Sequence, residues 1–160
     1  WSNEPSGVKP DIQCLAKALG GGMPIGAILL TDAVASAMHP GEHGSTYAGG
    51  PFITTVAGYV FDRISQPSFL AHVRETGDYL KERLTEINSP LVKEVRGRGL
   101  MVGLELSVDV SPIIEAGYDH GLLLVNAGPN VVRFVPPLIV EKAHVDELAD
   151  KLTTILAAQA

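Results

Sequence analysis

Apolar positions recur at different spacings along the chain, and the spacing becomes clearly helical from Ser68 onward. Before that point, short apolar runs predict a strand over 11–17 and a buried strand over 25–30. Gly20-Gly21-Gly22 lies between them and favours an irregular turn, because glycine adopts backbone angles that other residues avoid. Residues 52–64, which are rich in small side chains, predict a helix.

The second part of the sequence predicts a small lobe of helices and strands. In chain order, the predicted elements are a helix from Ser68 that ends before Ser89, strands over 92–96 and 100–106, a helix over 111–120, a hairpin of 122–125 with 131–134, and a final helix with Val145, Leu148, Leu152 and Ile155 on one face. The pattern therefore divides the chain into residues 1–66 and 67–160, each of mixed helix and strand.

Composition narrows the class of protein. The 160 residues are 46% hydrophobic and 19% charged, which is typical of a globular chain. The net charge is −6 and no basic stripe appears, so we expect no nucleic-acid partner, and the apolar runs are too short to span a membrane. Cys14 is the only cysteine, which excludes an intrachain disulfide and fits a cytoplasmic location. Because the chain begins at Trp1, we expect it to be part of a longer protein.

Lys17 is the first residue whose surroundings suggest chemistry. It is flanked by small and apolar residues and is followed by three glycines. Removing an amine from water favours its neutral form, which frees the lone pair that attacks an aldehyde. Such a setting suits a lysine that forms a Schiff base, but these residues alone are also those of an ordinary surface lysine at a glycine turn.

Ser45 and Thr46 lie in a glycine-rich loop over 41–51. Adjacent hydroxyls and backbone N–H groups suit a phosphate or a carboxylate, although the order of residues is not that of a P-loop. An ordinary Ser/Thr turn is the alternative interpretation.

Arg133 is a charged residue inside an otherwise apolar predicted strand. A buried guanidinium needs an anion, and its planar fork matches a carboxylate. The alternatives are an arginine on the solvent face of an alternating strand or one paired with an internal glutamate. Arg96 and Arg98 flank Gly97, where they indicate either an anion site or a basic β-turn.

His39 and His43 are four positions apart but do not form a metal site. Pro40 and Gly41 prevent the helix that would place both imidazoles on one face. We therefore expect no metal ligand in this chain.

Several segments resemble the class III pyridoxal-phosphate aminotransferases, and they cover essentially the whole chain in order. These segments are Lys9-Pro10-Asp11-Ile12, Leu15-Ala16-Lys17-Ala18-Leu19-Gly20-Gly21-Gly22, Pro24-Ile25-Gly26-Ala27, His43-Gly44-Ser45-Thr46-Tyr47, residues 95–105 and residues 131–138. Residues 121–133 are most similar to the acetylornithine aminotransferase branch. Ornithine, succinylornithine and 4-aminobutyrate aminotransferases stay open as alternatives.

The resemblance implies an α/β fold of the fold type I pyridoxal-phosphate transferases. Residues 1–66 would be the end of the large cofactor-binding domain, and residues 67–160 would be the small C-terminal domain. Lys17 would form the Schiff base with pyridoxal 5'-phosphate and would serve as catalytic base and acid. Thr46 would bind the cofactor phosphate of the partner subunit, Ser45 would touch the substrate, and Arg133 would hold a substrate carboxylate.

The implied activity is amino transfer from N-acetylornithine to 2-oxoglutarate in arginine biosynthesis. The implied assembly is a cytoplasmic homodimer with active sites at the interface. In this family an Asp in a D-E-x-Q segment meets the pyridine nitrogen, and neither that segment nor the phosphate-binding loop occurs in this sequence. We therefore expect the 160 residues alone to be inactive, and a non-catalytic binding lobe is the rival hypothesis.

Overall fold

The computed structural model describes residues 3–159. This part of the chain forms two compact units, of which the first ends at Gln66 and the second begins at Pro67. Within these residues, none of the helices combines the length and the apolar character that crossing a bilayer requires.

The first unit contains two short strands and two helices. Strand β1 (Ile12–Leu15) pairs antiparallel with β2 (Ala27–Leu30), and the helices α1 (Asp32–Ala35) and α2 (Pro51–Ile64) follow. The prediction of α2 is confirmed almost to the residue. Strand β1 ends before Lys17, because Lys17 has a left-handed backbone conformation and no longer pairs with β2.

The prediction that residues 25–30 form a buried strand is wrong for this chain. The side chains of Ile28 and Leu29 are 63% and 48% exposed. They point to opposite faces of a sheet that has two strands among the described residues, so neither face is covered there. The strands run antiparallel because the connection over 16–26 is too short for the crossover that parallel strands require.

The second unit is a four-stranded antiparallel sheet with three helices. Its elements are α3 (Pro67–Thr85), β3 (Val92–Arg98), β4 (Met101–Leu106), α4 (Ser111–Asp119), β5 (Val125–Asn126), β6 (Val131–Phe134) and α5 (Lys142–Gln159). The strand order is β3-β4-β6-β5. These elements confirm the predicted ones, except that β5 begins at Val125, the last residue of the segment predicted for it. The backbone N–H of Leu122 instead donates to the carbonyl of Gly117 in α4, at 2.7 Å.

One face of this sheet forms the core of the second unit. Fully buried residues of the sheet pack with buried residues of α3, α4 and α5; they include Val102, Leu104, Leu106, Val132, Leu80, Leu84, Ile113, Leu152, Ile155 and Leu156. Because successive side chains of a strand point to opposite faces, the intervening residues of β4 and β6 point outward. Arg133 is one of these outward residues, between buried Val132 and buried Phe134.

Glycines bring α3 into direct contact with the turn between β3 and β4. A β-carbon on Gly77 would lie 2.3 Å from the carbonyl carbon and oxygen of Gly99. Gly99 has a φ of +52°, a left-handed conformation that costs other residues free energy. The helix and the turn can therefore approach this closely only because Gly77 carries no side chain, while Gly99 supplies the left-handed backbone of the turn.

A polar cluster joins α3 to α5 beside the core. The hydroxyl of Tyr79 donates to Asp146 Oδ1 at 2.6 Å, and Arg83 Nε donates to the same oxygen at 2.8 Å. The hydrogen bond from Tyr79, together with the guanidinium of Arg83, holds the pKa of Asp146 below its usual range. The two helices are thus linked through an ionised carboxylate.

We expect Gly77→Ala to destabilise the second unit by about 1–3 kcal/mol, because the added methyl group must push α3 away from backbone atoms at Gly99. Urea unfolding of the intact protein measures this change. Gly58→Ala in α2 is the matched control, since a β-carbon there meets nothing within 4 Å. There we expect a gain of a few tenths to 1 kcal/mol. Equal effects at the two glycines would contradict the account of the close contact.

The Asp146 cluster should contribute stability that depends on pH. Because the folded-state pKa is depressed, the contribution is complete above the unfolded-state pKa of about 3.9 and is lost as pH falls through the folded-state pKa. The measurement is the unfolding free energy of the wild type minus that of Asp146→Asn. This difference should be constant from pH 7 to about pH 5 and shrink below pH 4. Asp119→Asn, away from this cluster, is the control, and a difference that grows towards low pH would refute the assignment.

Candidate active site

Lys17 has an unusual backbone conformation. It begins the 3₁₀ turn Lys17–Gly20 directly after β1 and Ala16, and its φ is +54°. Among residues 3–159 it is the one non-glycine residue with a positive φ. Left-handed backbone costs a residue with a β-carbon roughly 1–2 kcal/mol, and such strain is concentrated at functional sites. The conformation therefore singles out the same lysine as the sequence.

Two of the three glycines that follow Lys17 pack this turn closely against its neighbours. A β-carbon on Gly21 would lie 2.9 Å from Val60 Cγ2 in α2, and one on Gly20 would lie 2.8 Å from Ile25 Cγ2. Gly21 also has a φ of +58°. The glycine run thus serves packing as well as turning, and it fixes the position of the backbone just after Lys17.

The expected apolar enclosure of Lys17 is not formed by the described residues. Lys17 is exposed in this chain, and no hydrogen bond or ion pair involves its amine within residues 3–159. The reason is local: Gly20–Gly22 have no side chains to cover it, and the adjacent strands form a sheet with open faces. Within residues 3–159 the structure therefore shows an exposed primary amine without a hydrogen-bond or ion-pair partner.

Ser45 and Thr46 lie in an exposed loop before α2. The backbone N–H of Tyr47 donates to Ser45 Oγ at 3.3 Å, which is a local Ser turn. Thr46 is exposed and its hydroxyl has no hydrogen-bond partner in the described part of the chain. The structure shows no contact that joins Lys17 to Ser45 or Thr46, so the prediction that these residues share a site stays a prediction.

Arg133 lies on the outward face of β6, as the solvent-face alternative predicted. It is exposed and has no ion pair within the described residues. Its cross-strand neighbour on β4 is Gly103, which in turn lies opposite Arg96 of β3. Sequence reasoning treated Arg133 and the Arg96–Arg98 turn as separate features, because strand order was needed to show that they share one face.

Arg96 binds two carboxylates through one nitrogen of its guanidinium group. Its Nη1 donates to Glu105 Oε2 and to Glu94 Oε2, both at 2.6 Å. These hydrogen bonds, the one to Glu105 first, hold the pKa of the Arg96 guanidinium above its usual range. This residue therefore stabilises the pairing of β3 with β4, and its charge is balanced within the sheet.

Comparison with known proteins identifies the family. The family model for aminotransferase class III matches residues 1–156.

The chain belongs to the class-III aminotransferases.

Three relatives show how this class-III chain compares with complete proteins. Mitochondrial acetylornithine aminotransferase of Alnus glutinosa is 48% identical over 161 residues, which cover 99% of this chain and 36% of that protein. Succinylornithine transaminase of Yersinia enterocolitica is 44% identical over 147 residues, covering 88% of this chain and 36% of that protein. The structure of Plasmodium falciparum ornithine delta-aminotransferase superposes with a TM-score of 0.89 at 33% identity, covering 98% of this chain and 42% of that one.

These comparisons confirm the predicted α/β fold of the pyridoxal-phosphate aminotransferases. Class-III aminotransferases depend on pyridoxal 5'-phosphate, and the donors found here fit that cofactor. Lys17 offers an unpaired amine for an aldehyde, and the loop with Ser45 and Thr46 offers hydroxyls for a phosphate. The chain spans 36–42% of the lengths of the three relatives.

The strain at Lys17 gives a measurable prediction for this class-III chain. Glycine adopts left-handed backbone at no steric cost, whereas alanine does not. We therefore expect Lys17→Gly to be more stable than Lys17→Ala by about 1 kcal/mol in urea unfolding of the cofactor-free intact protein. Removing the cofactor matters because ligand binding would add its own stabilisation.

The same pair of substitutions at Lys9, which has a negative φ, is the control. There glycine should be no more stable than alanine, because no strain is relieved. If alanine were the more stable substitution at Lys17 as well, the left-handed conformation would not exist in the protein.

Proposed function

We propose that the protein to which this chain belongs transfers an amino group from N-acetylornithine to 2-oxoglutarate with pyridoxal 5'-phosphate. The observation that carries this proposal is the unpaired amine of Lys17, held in strained backbone inside a chain of the class-III family. Backbone strain of this kind is concentrated at functional sites, where a side chain must be held in a particular direction.

When bound, pyridoxal phosphate supplies an aldehyde and an electron-withdrawing ring, two groups that no amino-acid side chain provides. Lys17 Nζ would bind the aldehyde carbon and so keep the cofactor in place between turnovers. When it is not holding the cofactor, Nζ would be the base and acid that moves the proton of the donor's reacting carbon. The glycine run supports this role, because it packs the backbone just after Lys17 against Val60 of α2 and against Ile25, which precedes β2.

The hydroxyl of Thr46 and the backbone N–H groups beside it would bind the cofactor phosphate, and Ser45 would contact the substrate. Both residues are exposed and Thr46 is unpaired within the described residues, so its hydroxyl is available to a ligand. Family resemblance assigns the phosphate to the partner subunit. A homodimer with shared active sites would also supply the enclosure that Lys17 lacks in the single chain.

Arg133 would hold a substrate carboxylate. Its guanidinium is exposed, unpaired within residues 3–159 and set on a rigid strand between buried neighbours. A planar fork of this kind binds a carboxylate bidentately, which orients an oxo acid as well as holding it.

The acetyl form of the donor is supported by the 48% identity to an acetylornithine aminotransferase and by the branch that residues 121–133 resemble. Ornithine and succinylornithine are the competing donors, since relatives with those names cover nearly the same residues. A place in arginine biosynthesis and a cytoplasmic location belong to the same proposal.

Borohydride reduction of the intact protein with bound pyridoxal phosphate tests this function. We expect peptide mass spectrometry to find the covalent cofactor label on Lys17, because borohydride fixes the bond between the amine and the aldehyde carbon. Prior incubation with the true donor, without an oxo acid, should prevent labelling. Comparing N-acetylornithine, succinylornithine and ornithine at equal concentration therefore ranks the donors.

Lys17→Ala should remove the label and the amino transfer together, whereas Lys9→Ala is the matched control and should leave both intact. A label on another lysine would refute the assignment of Lys17. The absence of any label or spectral change would favour the rival hypothesis of a non-catalytic lobe.

A further inference from the structure

One face of α2 packs against the turn that begins at Lys17. The turn and the helix are in contact, and both belong to the first unit. The least exposed side chains of α2 recur at helical spacing; they are Ile53, Val56, Ala57, Val60 and Ile64. The helix therefore covers one side of the turn, although the side chain of Lys17 stays exposed.

Val60 is the residue of α2 that reaches the glycine run. A β-carbon on Gly21 would lie 2.9 Å from Val60 Cγ2, and no other described atom outside Gly21's chain neighbours lies within 4 Å of that position. A β-carbon on Gly22, by contrast, would meet nothing within 4 Å. The valine methyl group thus occupies the space that a side chain of Gly21 would need.

Local hydrogen bonds shape the turn. The backbone N–H of Leu19 donates to the carbonyl of Ala16 at 3.3 Å, and that of Gly21 donates to the carbonyl of Ala18 at 3.1 Å. Both hydrogen bonds close within the turn, so they do not set its position relative to α2 or to the strands. That position depends on contacts with those elements.

Two such contacts lie on either side of Lys17. Leu15 pairs with Ala27 at the end of the β1–β2 ladder, two residues before Lys17, and Gly21 meets Val60 four residues after it. A change of φ at Lys17 from +54° to an ordinary negative value would swing the residues that follow and break the contact with Val60. Strained backbone persists only where the surrounding structure requires it. The contact at Val60 therefore opposes relaxation of Lys17.

We propose that Val60 is a positioning residue for Lys17. Its side chain packs on Gly21 and so keeps the backbone of Lys17 left-handed, which sets the direction in which the amine leaves the turn. The catalytic consequence of this inference rests on the proposed function, whereas the restraint on the backbone rests on the packing alone. Val60 acts only through the turn and touches neither cofactor nor substrate.

The strain at Lys17 provides a measurement that needs no cofactor. In urea unfolding of the cofactor-free intact protein, Lys17→Gly should be more stable than Lys17→Ala. Adding Val60→Ala should reduce this advantage of glycine by roughly half or more, because the turn can then relax. Val60→Ile keeps the Cγ2 methyl group and should preserve the advantage. Val56→Ala is the matched control and should also preserve it, because it truncates the same side chain one helical turn away on the same face of α2.

Kinetics of the intact holoenzyme measure the catalytic consequence. Gly21→Ala should lower kcat roughly ten- to a hundredfold, the effect of displacing a catalytic group by about 1 Å. Adding Val60→Ala should restore part of that loss, because the new methyl group then takes the space of the valine methyl group. Gly22→Ala is the matched control. Gly22 also has a positive φ but has no neighbour to clash with, so Val60→Ala should not rescue it.

The outcomes separate this inference from the proposed function. An undiminished advantage of glycine at position 17 in Val60→Ala would overturn the positioning role, and so would an equal reduction in Val56→Ala. A folded Gly21→Ala enzyme that Val60→Ala fails to rescue would also overturn it; if Gly21→Ala does not fold, the measurement at position 17 decides.

The cofactor label completes the separation. If Lys17 failed to take the label while the advantage of glycine still depended on Val60, the proposed function would fail and the packing role would stand. If Lys17 were labelled and the advantage did not depend on Val60, the reverse would hold.

Discussion

Alternation of side chains across the strands is the constraint on which the second unit depends. Every second residue of β4 and β6 points into the core, and the residues between them point outward. A slip of one residue in the pairing would bury Arg133 without a partner and expose Val132. The free-energy cost of burying that charge keeps the register fixed. The same alternation that builds the core therefore also places the arginines on the opposite face.

In the first unit, the described residues fix the backbone at Lys17 but do not enclose its amine. The backbone at Lys17 is fixed locally, through a left-handed residue and a run of glycines that pack against α2. The described residues do not enclose the amine, which is exposed. The backbone position of Lys17 is therefore set by its immediate neighbours, whereas its side chain is open to solvent.

Much of the fold could be predicted from sequence, because long periodic segments carry a strong signal. Helix α2 and the elements of the second unit follow from apolar spacing and from proline and glycine at their ends. Burial of β2 could not be predicted, since a continuous apolar run shows that a strand avoids water but not which residues cover it. The direction of β1 against β2 also depends on pairing that apolar spacing alone does not specify.

The candidate site was predictable to a smaller extent. Lys17 stood out because its neighbours are small and apolar, yet its left-handed φ has no signal in sequence, as that conformation normally belongs to glycine. The shared face of Arg98 and Arg133 needed strand order, because the two residues are distant in the chain and become neighbours only through β4.

The strand pair β1–β2 has a consequence for the architecture around it. Ile12 and Ile28 lie on one side of the ladder and Leu29 on the other, all more than two-fifths exposed. A sheet on the outside of a globular protein carries apolar side chains mainly on the face that packs on the core. This two-stranded ribbon carries apolar side chains on both of its faces. Both faces of this ribbon therefore carry apolar surface that water disfavours, and Lys17 begins the turn just beyond its first strand.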